Sequence, residues 1–308
     1  MAIFRSPLPV YATTFDIAWH YAFRTICAAI LIFLVAPILV IIPLSFNAES
    51  FFSFTSGMVA LKPEAYSLKW YKDIFTNGMG APEAAFGWDW MIDSWRHSQW
   101  MLALRNSLVV GIASTFVATV LGTLASVGLS RPEMPFRGLI MGVLISPMIV
   151  PIIITATGLF FFFSSVGLSQ TYAGLILAHA LLGTPFVVIT VTATLTSFDR
   201  SLMRAAANLG AGPLRAFFSV QAPLILPGVI SGALFAFVTS FDEVVVVLFL
   251  AEPDQRTIPR QMWSGLREQV SPTILAVATI LVLISLALLT SLEWLRRSVE
   301  RLKAETTI

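Results

Sequence analysis

Long apolar runs alternate with short polar ones along this chain, and six of the runs reach bilayer length. A helical span needs about 20 mainly apolar residues. Segments 24–46, 101–128, 139–164, 172–196, 223–250 and 272–295 meet that requirement. The pattern predicts an all-α integral membrane protein with six transmembrane helices. Pro37, Pro43, Pro147, Pro151, Pro185 and Pro227 fall inside these runs. Breakers at this density suit bent helices around a cavity, where freed backbone groups meet protein or water. Ordinary kinks in a packed bundle are the alternative for any single proline.

The polar stretches divide the chain into an N-terminal segment 1–23, a first span 24–46, a large polar segment 47–100, a core of five spans 101–295 and a tail 296–308. The run Ile26–Phe46 is longer than the roughly 7–15 apolar residues of a signal-peptide core and reads as a retained span. Segment 47–100 carries Trp70, Trp88, Trp90, Trp95 and Trp100 among acidic residues, and Lys69–Phe75 reads as an amphipathic surface helix. Tryptophans of this kind mark a membrane interface; a landing surface for an external protein is the other reading. His179 lies mid-span, where a hydrogen bond to a neighbouring helix is the simplest role. Of the four phenylalanines Phe160–Phe163, most are expected against lipid or neighbouring helices.

The loop 199–222 is polar enough for water, yet it sits between two spans. Its punctuation predicts two short helices. Asp199 can accept a backbone N–H at the start of the first. Ser201–Leu209 is made of good helix formers, and Gly210 stands where a left-handed cap belongs. Pro213 suits the first position of a second helix, Leu214–Val220, expected to end before Pro223. Ala205, Ala206 and Ala207 leave a small, flat surface that another backbone could approach closely.

Mean hydropathy of +0.84, with 57% hydrophobic and 12% charged residues, excludes an ordinary soluble domain. A formal charge of +2 gives no argument for nucleic acid. Cys27 is the single cysteine, so no internal disulfide exists. With the 199–222 loop inside, Arg5, Arg24, Arg131, Arg137, Arg200, Arg204, Arg215, Arg296, Arg297, Arg301 and Lys303 fall on the cytoplasmic side. Lys62, Lys69, Lys72, Arg96, Arg256, Arg260 and Arg267 fall outside, although the outer segments are far longer. The positive-inside rule then puts both termini in the cytoplasm. The basic C-terminal run is suited to lipid headgroups.

Asp242 and Glu243 interrupt the apolar fifth run, with Thr239 and Ser240 one turn away. A carboxylate at the bilayer centre costs about 2.5–3.5 kcal/mol on insertion scales. Two adjacent ones on a helix point about 100° apart. One can face a water-filled path while the other pairs with a neighbour. An anionic patch passing a cationic solute, with Thr239 and Ser240 adding hydroxyls, is one reading; a structural ion pair is the other.

The loop 199–228 resembles the E-A-A-x-x-x-G-x(9)-I-x-L-P signature of permease subunits of binding-protein-dependent ABC importers. Ala205, Ala206, Gly210 and Pro223 fall on that motif, and Val220 replaces its Ile. Arg204 stands where the motif has Glu, and Ala222 where it has Leu. The resemblance implies a type I ABC importer permease fold, with this loop as the coupling helix between helices 4 and 5 that docks on a separate ATPase. It also implies ATPase subunits as partners, a second homologous permease and a periplasmic substrate-binding protein. No cofactor is then held by this chain, ATP and Mg being bound by the ATPase. The segments S-F-D-E-V-V-V-V-L-F-L, T-I-P-R-Q-M-W-S-G-L-R and S-P-T-I-L-A-V-A-T-I-L resemble spermidine/putrescine-type permeases, in particular the second permease subunit. That branch also holds relatives for opines, aminophosphonates and other small solutes. A location in the bacterial inner membrane follows.

The chain has no G-x-x-x-x-G-K-[ST] phosphate loop. Energy for an importer must therefore come from another subunit. An autonomous secondary transporter would use the acidic pair but gives the 199–222 loop no purpose. An intramembrane enzyme finds neither an H-E-x-x-H nor a G-x-S-x-G pattern.

Overall fold

The computed structural model describes residues 13–131, 133–268, 271–287 and 290. Arg5, the end of the predicted sixth span and the basic run Glu293–Lys303 lie outside the described residues. The regular structure among those described is helical, apart from one isolated bridge between Asn47 and Tyr66. In chain order the helices are α1 (Thr14–Leu44), α2 (Ser56–Val59), α3 (Lys69–Thr76), α4 (Trp88–His97), α5 (Gln99–Leu129), α6 (Arg137–Ile149) and α7 (Ile152–Ser165). There follow α8 (Tyr172–Thr196), α9 (Ser201–Asn208), α10 (Pro213–Ala216), α11 (Ala222–Phe241), α12 (Val245–Leu250), α13 (Ile258–Glu268) and α14 (Thr273–Ala287).

The chain forms two compact units, Phe75–Arg267 and the flanking Met1–Ile74 with Glu268–Ile308. In the flanking unit, α1 begins ten residues ahead of the apolar run that predicted it. Thr13 and Asp16 form a capping box there: the Thr13 hydroxyl accepts from the Asp16 amide, and the Asp16 carboxylate accepts from the Thr13 amide. Reciprocal capping satisfies two donors that a helix start leaves open, so the helix nucleates upstream of its apolar stretch. Further along, the Trp70 indole donates to the Asn47 carbonyl at 2.7 Å, and the Tyr71 hydroxyl meets Ser45 at 2.7 Å. The Thr273 hydroxyl donates to Asp73 at 2.6 Å, which ties the start of α14 to α3.

The unit Phe75–Arg267 is built on α5, α8 and α11. These three meet at small residues, the usual way for helices in lipid to approach closely. A Cβ on Gly122 would lie 2.7 Å from the Val187 Cβ, and one on Gly183 would lie 2.9 Å from the Ala236 Cβ. Gly228 and Gly232, four residues apart on α11, face Thr194 and Thr190 of α8 just as closely. A second core joins α7, α8 and α12 through Phe163, Leu175, Ala178, Val246 and Val247. Of the four phenylalanines, Phe163 is buried there while Phe161 and Phe162 are exposed.

Three predicted elements take a different form. The run 139–164 is a bent pair: α6 and α7 meet at 103°. Pro151 is the cause, because it lacks an N–H and pushes Val150 into an extended conformation (φ −71°, ψ 133°). The helix expected to stop before Pro223 runs on, and Pro213–Phe241 forms one continuous helix of 29 residues. Phe217–Gln221 adopts a π-helical turn, whose wider ring leaves room ahead of Pro223. The fifth run breaks at residues 242–244, between α11 and α12.

By length and composition, four described helices can cross a membrane, or five if the bent pair counts as one. Thr273–Ala287 is a shorter apolar helix whose predicted span continues past the described residues.

Candidate functional site

The polar hairpin closes as its punctuation requires. The Asp199 carboxylate accepts from the Ser201 amide at 2.8 Å and from the Ser201 hydroxyl at 2.6 Å, directly ahead of α9. Those two bonds, the hydroxyl's first, hold its carboxyl below the usual range, with a smaller contribution from the Arg204 charge. At the other end Gly210 takes φ +86°, its N–H donates to the Ala207 carbonyl, and the Ala211 N–H donates to Ala206. This is a complete Schellman closure, which satisfies carbonyls the helix end would orphan. Pro213 occupies the first turn of α10.

The structure places Arg204, Ala205, Gly210 and Pro223 on the exposed surface and Ala206 half-buried beside them. The small-residue face of α9 is therefore open. Nothing lies within 4 Å of a Cβ built on Gly210, so its demand for glycine comes from the backbone angle alone. Arg200 ties the hairpin to the core by donating from its guanidinium to the Ser130 carbonyl at the end of α5.

The acidic pair sits in the break between α11 and α12. The two carboxylates were expected at adjacent positions within a helix, but residues 242–244 are not helical. Asp242 ends α11 and is exposed; Glu243 is only 8% exposed. Glu243 turns its Oε1 onto the Val246 amide at 2.8 Å, in the first turn of α12. An anion at a helix N-terminus satisfies an open donor and complements the helix dipole. At the other end of α12, Arg260 from α13 donates to the carbonyls of Ala251 (2.9 Å), Val247 (3.2 Å) and Glu252 (3.3 Å). A six-residue helix thus carries a carboxyl on its N-terminus and a guanidinium on its C-terminus.

Thr239 and Ser240 are buried to different degrees. Thr239 is half-buried, while Ser240 is turned into the core. Its hydroxyl meets His179 Nδ1 at 2.8 Å and accepts from Ser114 at 3.0 Å, joining α11, α8 and α5. The Ser240 hydroxyl is thus held between α8 and α5, and His179 bonds a neighbouring helix. Sequence reading missed Arg260, whose partners lie up to thirteen residues away across a turn. It also missed Ser114 and Asn106, whose amide bridges the Asp254 and Arg256 carbonyls at 2.7 and 3.0 Å. Small polar residues inside an apolar run give no pattern that separates a cross-helix bond from a lone hydroxyl.

Apolar helices long enough to cross a membrane, with a polar hairpin between two of them, define an integral membrane protein. The chain belongs to the family of binding-protein-dependent transport system inner membrane components, which matches residues 118–304. It is 29% identical over 269 residues to the spermidine/putrescine transport system permease protein PotC of Escherichia coli (strain K12), covering 87% of this chain and 91% of that one. To the putrescine transport system permease protein PotI of the same strain it is 30% identical over 257 residues, 81% of each chain. Among solved structures, a bacterial ABC transporter involved in the import of the acidic polysaccharide alginate superposes with a TM-score of 0.67 over 94% of this chain and 99% of that one, at 16% identity. The fold is that of a type I ABC importer permease. The chain is a non-catalytic permease component of an ABC importer; ATP hydrolysis belongs to a separate ATPase.

Proposed function

We propose that this chain forms half of the translocation pathway for a small cationic solute of the polyamine class, such as putrescine or spermidine. A periplasmic binding protein delivers the solute, a second homologous permease supplies the other half, and a pair of ATPase subunits docks on the hairpins. ATP and Mg belong to those ATPases, and both termini of this chain face the cytoplasm. The single observation that carries the solute class is Asp242: the exposed one of two adjacent carboxyl groups at the break of an apolar span. An intramembrane acid is costly and by default functional. Similarity to two permeases named for polyamines supports the same reading.

Docking rests on the open alanine surface of α9 with Gly210 closing it. Closure of the ATPase dimer moves the hairpin, and the continuous helix Pro213–Phe241 connects that hairpin directly to Asp242. Transport is then a shift between conformations biased by nucleotide, with no covalent step in this chain. The test is uptake of labelled putrescine by the assembled transporter in a strain lacking other polyamine importers. Concentration-dependent uptake that is lost when the ATPase is inactivated is the expected result. ATP-coupled uptake of only a neutral or anionic solute overturns the solute class while leaving the importer class intact.

A further inference from the structure

A cavity of about 320 Å³ lies where the hairpin meets the ends of α5 and α8. Three guanidinium groups line it: Arg131 just past α5, Arg200 at the start of α9 and Arg204 within α9. Val127, Leu195, Phe198 and Met203 supply its apolar lining. No acidic side chain is among the described lining residues. The Arg204 charge acts on Asp199, whose carboxyl oxygens are bonded to Ser201.

Val127 and Leu195 belong to the last turns of two apolar helices that end at Leu129 and Thr196. The cavity therefore opens at the level where hydrocarbon gives way to headgroups. Planar guanidinium forks match phosphate oxygens in geometry as well as charge. Basic pockets between spans at this level accept anionic lipid headgroups.

We propose that this cavity binds the phosphate of an anionic phospholipid, with Arg131, Arg200 and Arg204 on the phosphate and the apolar lining against the glycerol and upper acyl carbons. A lipid held there bridges the hairpin to α5 and α8, so it stiffens the joint between docking loop and core. The assignment does not depend on which solute is carried.

The test uses the assembled transporter in nanodiscs of phosphatidylcholine with and without phosphatidylglycerol, and counts lipids retained by native mass spectrometry. The wild type is expected to retain phosphatidylglycerol in preference to phosphatidylcholine. Arg131→Gln is expected to weaken that retention about fivefold, the effect of roughly one basic residue at an anionic surface, and Arg131→Lys to weaken it less. Equal retention of both lipids by the wild type overturns the proposal, and decides the matter alone if the variants do not assemble. Displacement of the lipid by an equal concentration of inorganic phosphate assigns the site to a soluble anion and overturns the lipid. Loss of the ATPase from Arg131→Gln with lipid retention unchanged overturns it in favour of a protein interface, while the docking role of the hairpin stands.

Discussion

Glu243 and Arg260 grip opposite ends of the same short helix. The Glu243 carboxylate takes the Val246 amide at the N-terminus, and the Arg260 guanidinium takes three carbonyls at the C-terminus. Each group meets backbone partners that a helix end leaves open. A six-residue helix has little intrinsic stability, so α12 depends on these two side chains and on its packing against α7.

Removing either grip is expected to lower stability. Glu243→Leu orphans the Val246 amide, at about 1–3 kcal/mol, whereas Glu243→Gln keeps an acceptor and costs less. Arg260→Met loses three carbonyl partners and belongs with Glu243→Leu. Thermal unfolding of the purified transporter, followed by fluorescence-detected size exclusion, measures the order. A Glu243→Gln variant as unstable as Glu243→Leu contradicts the capping role.

Asp242 has the opposite expectation. Its side chain is exposed, so Asp242→Asn leaves unfolding temperature unchanged. Uptake of a dicationic solute is expected to fall at least about tenfold in kcat/KM, equivalent to roughly 1.4 kcal/mol of lost charge interaction. Unaltered uptake kinetics would return Asp242 to the role of a helix end.

At Gly210 the angle alone excludes a β-branched residue. Gly210→Val is expected to cost the hairpin about 1–2 kcal/mol, and Gly210→Asn much less, because Asn tolerates the left-handed region. Ala206→Trp keeps the backbone but fills the small surface of α9. Co-purification of the ATPase measures both: Gly210→Val and Ala206→Trp are expected to lose it, and Gly210→Asn to keep it.

How tightly the three core helices meet decides a fourth outcome. Gly232→Val places a Cβ 2.5 Å from the Thr190 hydroxyl and 2.8 Å from the Val187 Cα. Overpacking of this kind costs about 1–3 kcal/mol. Gly158→Ala on α7 meets nothing within 4 Å and serves as a control expected to be neutral. Comparing their melting temperatures tests the seam.

Acid pH acts on the start of the hairpin. The folded-state pKa of Asp199 is depressed by its Ser201 bonds, so its contribution is present above the unfolded value near 4 and fades as pH falls through the lower folded value. Hydrogen exchange at the first α9 amides is expected to accelerate across that window. Asp199→Asn is expected to abolish the pH dependence.

Much of this was legible in the sequence, for physical reasons that differ by element. The hairpin was read nearly residue by residue because Asp199, Gly210 and Pro213 each have a local conformational preference that survives in the fold. The apolar runs located the spans because hydrocarbon permits only self-satisfied backbone. Breaks inside those runs were hidden: Pro151 looks no different from Pro147 on paper, yet one turns the chain by a right angle. The acidic pair was found by its cost and a split between its members was expected, but which of the two is buried was not. Whether a carboxylate faces water or a helix end depends on a three-residue gap that hydropathy does not register. Arg260, Arg131 and Arg200 were read only as counts on two sides of a membrane, and Arg204 as a motif position, because what they meet is remote in sequence.

Where α5, α8 and α11 touch, there is no slack for a side chain, let alone for sliding. A methyl group added at Gly122, Gly183, Gly228 or Gly232 has nowhere to go, so the seam is closed to enlargement from all three sides.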